Sequence, residues 1–214
     1  MADTSSQEGE LRRRLQGGDE KALAELFSLH RERLWRMVAF RLDRELQARI
    51  DPDDVLQEAY LAATQRIGHY DGKSAMSPFV WLRLIVQQTM IDVHRRHIGA
   101  QMRDAGREAS AHRQGFSQAT SISLAAQLVG HLTSPSQAAQ RAEMLARLEQ
   151  ALAGMDPIDQ EILALRHFEE LSNSEVAEVL GIEQKAASIR YVRALRRLKD
   201  ILSQISGFVD ETPK

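Results

Sequence analysis

The feature that most constrains the fold is a pair of helical segments that meet at a single glycine in the stretch SNSEVAEVLGIEQKAASIRYVRAL. Ser172 or Asn173 can cap the first segment, and Gly181 stands at the break, where a residue with positive φ is usually needed. The second segment carries a stripe of apolar residues at helical spacing, formed by Ala187, Tyr191, Ala194 and Leu198. This arrangement predicts a helix-turn-helix whose stripe packs against the preceding helices.

The second of these segments is strongly basic. Between Gln184 and Lys199 it has six basic residues and no acidic one, although the formal net charge of the chain is −2. At about 100° per residue, the side chains opposite the stripe are those of Lys185, Ile189, Arg193 and Arg196, with Arg190 and Arg197 on a flank. Such a helix can enter the DNA major groove, where basic residues meet phosphates or guanine edges and Ile189 can touch a thymine methyl group. The alternative is an amphipathic helix whose charges only face solvent.

The segment before this pair, MDPIDQEILALRHFEEL, is mainly acidic. Asp156 and Pro157 are typical of a helix start, and Asp159 falls in the first turn. We expect this helix to support the two that follow, with its acidic surface directed away from DNA phosphates.

The stretch DPDDVLQEAYLAATQRI predicts another helix, with Asp51 as its cap and Pro52 in the first helical position. Its apolar stripe consists of Leu56, Ala59, Tyr60, Ala63 and Ile67. Another face carries a row at i, i+3, i+4 and i+7, namely Asp54, Gln57, Glu58 and Leu61. A row of acidic, amide and aliphatic side chains can bind a basic helix of a partner protein. The alternative is ordinary helix capping beside a solvated face.

The stretch YDGKSAMSPFVWLRLIVQQTMIDVHRRH predicts a polar loop that leads into a helix beginning at Pro78. The inward face of this helix is expected to contain Leu82, Ile85, Val86, Thr89 and Val93. The side chains expected to reach solvent are those of Trp81, Gln87, Gln88, Arg95 and Arg96. Aromatic, amide and arginine side chains beside a polar loop can hold single-stranded nucleic acid. The alternative places Phe79 and Trp81 in the core, and we expect this for at least one of them.

The overall pattern predicts an all-α chain of two small helical domains joined by a flexible linker. We place the domains at residues 1–99 and 135–205, the linker at 100–134 and a tail at 206–214. The linker can carry a short helix near Leu124 to Val129, and Ser134 with Pro135 can open a helix that runs to about Ala153.

The composition excludes several classes of function. The chain has no cysteine, which excludes disulfides, thiolate nucleophiles and Cys-ligated metals and fits a reducing compartment. The N-terminus has no apolar core of a signal peptide, and no apolar run is long enough for a membrane span. We therefore expect a cytoplasmic protein.

A helical metal hydrolase is the rival from another class of protein. His94 and His97 lie at i, i+3 with Asp92 nearby, but Arg95 and Arg96 between the histidines would repel a cation. We therefore expect no metal at this position. His30 and His167 are expected to be ordinary surface or boundary histidines.

Together, three of these stretches resemble a bacterial RNA polymerase sigma factor of the sigma-70 family, in its small extracytoplasmic-function group. DPDDVLQEAYL resembles the part of region 2 that grips the coiled coil of the polymerase β′ clamp. PFVWLRLIVQQTMIDVHRR resembles the helix that melts and reads the −10 element. The motif that begins at Met155, where the family has Leu, and ends in the basic helix resembles region 4, which reads the −35 element.

The resemblance implies a role for particular residues. The β′ clamp would be met by Asp54, Gln57, Glu58 and Leu61. The −10 element would be met by Trp81, Gln88, Arg95 and Arg96 and by a loop that holds a flipped base, Asp71, Gly72, Lys73 and Ser74. The −35 groove would be met by Lys185, Ser188, Ile189, Arg190, Val192, Arg193 and Arg196. Gln88 stands where the family often has Asn, and Ser188 and Ile189 differ from the family's usual residues, which implies a shifted −35 preference.

The implied partners are core RNA polymerase, through the β′ clamp coiled coil and the β flap, and promoter DNA. The resemblance leaves open an anti-sigma protein and implies no membrane partner, no enzymatic activity and no cofactor. A stand-alone helix-turn-helix transcription regulator is the alternative, although it would explain only the C-terminal domain.

Overall fold

The chain divides into two units, residues 1–104 and 105–214, in the computed structural model. The structure describes residues 2–42, 49–70, 76–98, 121, 123–126, 128–129 and 138–205. Within these ranges the regular structure is helical, with no strand, which confirms the predicted all-α class. None of the helices in these ranges combines the length and the apolar character needed to cross a membrane.

In its described residues, the first unit has three helices that pack against one another and a fourth at the N-terminus. The helices are α1 (Ala2–Gln16), α2 (Glu20–Arg41), α3 (Pro52–Arg66), a 3₁₀ turn (Ile67–His69) and α4 (Pro78–Ile98). Helix α1, which we did not predict, is polar over most of its length and contributes Leu11 and Leu15 to the core. Its short apolar face explains why periodicity gives little sign of it.

The helix starts and inward faces of this unit follow the local sequence. Asp51 accepts a hydrogen bond from the Asp53 N–H at 2.9 Å, and Pro52 occupies the first helical position, as predicted. The stripe of α3 is buried except for Tyr60, which is half-buried. All five residues expected to face inward on α4 are buried. The prediction for His30 is wrong, because it is buried and its ring lies 4.7 Å from that of Phe79.

The second unit contains the glycine-centred pair of helices. Its helices are α5 (Ala138–Ala153), α6 (Pro157–His167), α7 (Asn173–Leu180) and α8 (Gln184–Gln204). Helix α8 packs against α5, α6 and α7. Asp156 caps α6 through the Ile158 N–H at 2.8 Å, as predicted.

The turn between α7 and α8 has the expected chemistry. Ser172, rather than Asn173, caps α7 in a reciprocal capping box with Glu175. Gly181 has φ 63° and ψ 36°, and its N–H donates to the carbonyls of Ala177 and Glu178. This left-handed conformation favours glycine, which confirms the predicted break.

Residues from the predicted linker contribute to the core of the second unit. Leu124, Ala125 and Val129 are buried and helical, and Ser121 Oγ lies 2.7 Å from Gln160 Oε1. Gln160 also donates its amide to the carbonyls of Leu152 and Met155. The limits predicted for the linker, and the Ser134-Pro135 helix start, lie outside the described residues.

Candidate nucleic-acid and protein interfaces

Helix α3 presents one continuous exposed row on the first unit. All four members of the predicted docking row, Asp54, Gln57, Glu58 and Leu61, are exposed. Leu61 has 62% of its surface exposed, which is high for a leucine beside a packed core. The opposite face of α3 is buried, so the amphipathic pattern itself turns the row outward.

A groove lies beside this row. Its volume is about 440 Å³, and its lining residues are Phe27, Arg31, Asp53, Leu56, Gln57, Tyr60 and Leu61. The Phe27 and Tyr60 rings meet edge to face with centroids 5.2 Å apart, and Arg31 pairs with Asp53 at 2.6 Å. Apolar walls with charged groups at the rim suit an amphipathic partner surface.

The docking row is connected to α4 by an ion pair. Arg96 of α4 donates to Glu58 of α3, and both side chains are about half exposed. Arg96 therefore has an acidic partner within the first unit, whereas Arg95 is exposed beside it. Because the pair is exposed, it contributes little to stability, typically about 0–1 kcal/mol.

Helix α4 brings three of the predicted nucleic-acid residues to one stripe. Trp81, Gln88 and Arg95 are spaced by seven residues, which places them within about 40° of one another on a helix. Trp81 is half-buried and meets the Tyr70 ring edge to face at 5.1 Å, while Gln88 donates to Asp92 at 3.1 Å. The predicted loop residues Asp71, Gly72, Lys73 and Ser74 lie outside the described residues.

The start of α4 also contains core residues. Phe79 is buried, and the Arg33 guanidinium lies 3.8 Å from its ring centroid, which confirms that at least one of the two aromatics belongs to the core. Arg83 is completely buried and donates to Gln87 at 3.2 Å. We did not predict this burial, because arginine side chains are mostly exposed in proteins.

No group of three potential metal ligands occurs among the described residues. The side chain of His97, one of the two histidines considered in the sequence, is not among them.

Helix α8 exposes the face opposite its apolar stripe. Ala187 and Ala194 of the stripe are buried, and Tyr191 and Leu198 are half-buried. Six of the seven residues predicted to face DNA are exposed, and Arg190 is half-buried; the exposed ones are Lys185, Ser188, Ile189, Val192, Arg193 and Arg196.

Two of the arginines on this helix are held by Asp159 of α6. Arg193 donates twice to Asp159, with distances of 2.8 and 2.9 Å, and Arg190 donates once at 3.3 Å. Asp156 lies at 3.8 and 3.9 Å from the same two arginines. The acidic surface of α6 is predicted to face away from DNA phosphates, and the structure adds that Asp156 and Asp159 lie beside arginines of α8.

The physical cause is the burial of Asp159, which has only 5% of its surface exposed. A buried carboxylate needs charged or hydrogen-bonding partners. The hydrogen bonds to Asp159 raise the pKa of Arg193 above its ordinary value. The sequence contained one sign of this contact. Asp159 lies in the first turn of α6, and Arg190 and Arg193 are three residues apart on α8, a helix that must pack nearby.

Ser188 is also held within the unit. Asn173 donates its amide to Ser188 Oγ at 2.9 Å and to the Gln184 carbonyl at 3.0 Å. These bonds fix the first turn of α8 relative to the start of α7.

His167 lies at the edge of the same unit, consistent with the prediction of a surface or boundary histidine. Its Nε2 is 3.1 Å from the Tyr191 hydroxyl. Partial burial, followed by the charge of Arg166, lowers the pKa of His167 below its ordinary value.

Two family models match the two helical units. The model of Sigma-70 region 2 matches residues 26–98, and that of Sigma-70 region 4 matches residues 151–200. A protein from Alcaligenes xylosoxydans xylosoxydans, the RNA polymerase sigma factor NccH, is 27% identical over 207 residues, which cover 94% of this chain and 97% of that protein. The ECF RNA polymerase sigma factor SigD of Mycobacterium tuberculosis is 28% identical over 184 residues, which cover 86% of this chain and 78% of SigD.

A solved structure with the same fold is that of CnrH. CnrH, determined in complex with the cytosolic domain of CnrY, aligns with a TM-score of 0.52 and 22% identity, covering 94% of this chain and 99% of CnrH.

Proposed function

The chain belongs to the sigma-70 family of RNA polymerase sigma factors, in its extracytoplasmic-function group, and from this membership we propose how its two units divide the work of transcription initiation. Members of this family are DNA-binding initiation factors and not enzymes. The chain accordingly acts in transcription initiation with core RNA polymerase and promoter DNA as its partners. The assignment of individual residues to these partners is our proposal.

The first unit docks on the polymerase through α3. We assign the row Asp54, Gln57, Glu58 and Leu61 to the coiled coil of the β′ clamp. The observation that carries this assignment is the exposure of all four side chains on one helical face, beside a groove of about 440 Å³ with apolar walls. Leu61 supplies the apolar contact, and the two acids select a basic partner helix.

The same unit holds the −10 element through α4 and the loop before it. Trp81 offers a ring face, Gln88 an amide, and Arg95 and Arg96 positive charge for phosphates. Melting then depends on the capture of unpaired bases, which offsets the few kcal/mol that unstacking costs per base. The loop Asp71, Gly72, Lys73 and Ser74 would hold the flipped base.

The second unit binds the −35 element with α8 in the major groove. Exposed cations lie along its outer face and meet phosphates, as in other helix-turn-helix proteins. The residues we assign to this surface are Lys185, Ser188, Ile189, Arg190, Val192, Arg193 and Arg196. The β flap of the polymerase is the expected neighbour of this unit.

Polymerase is required because each unit alone binds DNA weakly. When the enzyme fixes both units at the promoter spacing, the second contact becomes intramolecular and gains a high effective concentration. CnrH, which has the same fold, was solved with the cytosolic domain of CnrY. That complex supports a further protein partner of the anti-sigma kind for this chain.

The docking row is tested by removing its two acids together. We expect Asp54→Ala with Glu58→Ala to reduce recovery of core polymerase on the immobilised chain by at least tenfold, because two charges facing the partner are lost. Circular dichroism should show unchanged helicity, since both side chains are exposed.

The matched control is Glu25→Ala with Glu32→Ala on α2. Both acids are exposed and ion-paired within the unit, like Glu58, and their helical positions are turned away from Phe27 and Arg31 of the groove. Equal polymerase recovery by the docking variant and by this control would remove the assignment. Binding of the free chain to a specific duplex at nanomolar concentration, without polymerase, would instead favour the stand-alone regulator.

A further inference from the structure

Three of the polar side chains that we assign to the outer face of α8 are held by neighbouring helices. Asp159 receives the hydrogen bonds of Arg193 and Arg190, and Asn173 binds Ser188. A side chain that must keep these contacts has little freedom to form a new bidentate bond with a base edge.

Two aliphatic side chains on this face are exposed instead. Ile189 has 61% of its surface exposed and Val192 has 46%. They lie three residues apart, so they are neighbours on the helix surface, separated by about 4.5 Å along its axis. Neither belongs to the buried stripe formed around Ala187 and Ala194.

Cations stand at both ends of this aliphatic pair. Lys185 precedes Ile189 by four residues, and Arg196 follows Val192 by four residues, so each lies one turn away on the same face. Both are exposed. An apolar patch between two positive charges suits the floor of a groove with phosphates on either side, whereas an apolar protein partner would leave these charges to be desolvated.

The apolar group that base edges offer in the major groove is the thymine methyl. We propose that Ile189 and Val192 read thymine methyl groups on neighbouring base pairs of the −35 element, with Lys185 and Arg196 on the flanking phosphates; this rests on the sigma-factor function proposed above. Base pairs are about 3.4 Å apart along the helix axis, so the two side chains reach adjacent steps. Arg190 and Arg193, held by Asp159, position α8 beside the backbone.

The test replaces thymine by deoxyuridine, which lacks only the methyl group. A −35 element is first selected by transcription with core polymerase and the full chain on a randomised promoter pool, and its thymines are then replaced one at a time. For each methyl that is read, we expect binding of the polymerase–chain complex to weaken about fourfold, the effect of losing one buried methyl. Deoxyuridine placed in the spacer between the two elements is the DNA control.

The protein arm of the test uses Ile189→Ala and Val192→Ala. Each variant should bind the thymine promoter more weakly by a similar factor and should no longer distinguish thymine from deoxyuridine at the position it contacts. The control is Ile158→Ala on α6. It shortens an aliphatic side chain like that of Ile189, and Ile158 has 38% of its surface exposed. This control variant should still distinguish thymine from deoxyuridine as well as the unaltered chain does.

Three outcomes overturn the inference. One is a selected −35 element without thymine, another is equal binding of thymine and deoxyuridine promoters by the unaltered chain, and the last is discrimination that persists in both alanine variants. Each is compatible with a chain that directs initiation. Failure to select any promoter at all would instead contradict the proposed function.

Discussion

Asp159 shows how one buried carboxylate can order a binding surface. It receives three hydrogen bonds from two arginines of the neighbouring helix, while its own surface is almost completely removed from solvent. The side chain therefore fixes the rotation of α8 about its axis as well as the place of two positive charges. Under the proposed function, its effect on DNA binding is indirect, through the helix that it positions.

Replacing this carboxylate by an amide of the same shape should destabilise the second unit. We expect Asp159→Asn to lower the free energy of unfolding by about 1.5–3 kcal/mol, because hydrogen bonds to a charged group are lost inside the structure. Urea unfolding followed by circular dichroism measures this change. Asp156→Asn is the control: it keeps a capping side chain and loses only charges at 3.8 and 3.9 Å, so a change within about 0.5 kcal/mol is expected. Equal effects of the two substitutions would show that the buried contact has no special importance.

At the scale of the elements, the start of a helix and its buried face follow from neighbouring residues. Asp51 with Pro52, and Asp156 with Pro157, could be identified as helix starts because capping involves atoms only two or three residues away. The inward stripe of α4 follows from periodicity for the same reason.

Contacts between elements could not be predicted in this way. The burial of His30 and the contact of Asp159 with Arg193 depend on how helices are placed against one another. Gln160, which joins three segments through its amide, looks like any helix residue in the sequence. The exposure of the row on α3 was predictable, because it is the complement of the buried stripe.

The turn between α7 and α8 makes a prediction at this scale. Gly181→Ala should destabilise the second unit by about 1–2 kcal/mol, since φ 63° is unfavourable for any residue with a Cβ. A Cβ at this position would meet nothing within 4 Å, so the cost comes from the backbone alone. Gly68→Ala is the control, because Gly68 has no positive φ and also has open space around it. Chemical denaturation should show a lower free energy of unfolding for Gly181→Ala and almost no change for Gly68→Ala. A comparable decrease in both variants would contradict the backbone explanation.

At the scale of the whole molecule, we propose that the two units have separate tasks. In the proposed function the first unit binds a protein partner through α3 and unpaired DNA through α4, while the second unit binds duplex DNA through its basic helix α8. The contacts of Glu58 with Arg96 and of Asp159 with Arg193 each lie within one unit, so each surface is organised by its own unit. Under this proposal, specific promoter binding requires a partner that engages both units.

Mapping of RNA start sites on a promoter pool, with core polymerase alone and with the chain added, tests this account most directly. The account predicts that the chain creates a new set of start sites, each preceded by two shared sequence elements at a fixed spacing, and that the Asp54→Ala, Glu58→Ala double variant loses them while the Glu25→Ala, Glu32→Ala control keeps them. An unchanged set of start sites, with the chain bound to duplex DNA at nanomolar concentration in the absence of polymerase, would contradict it.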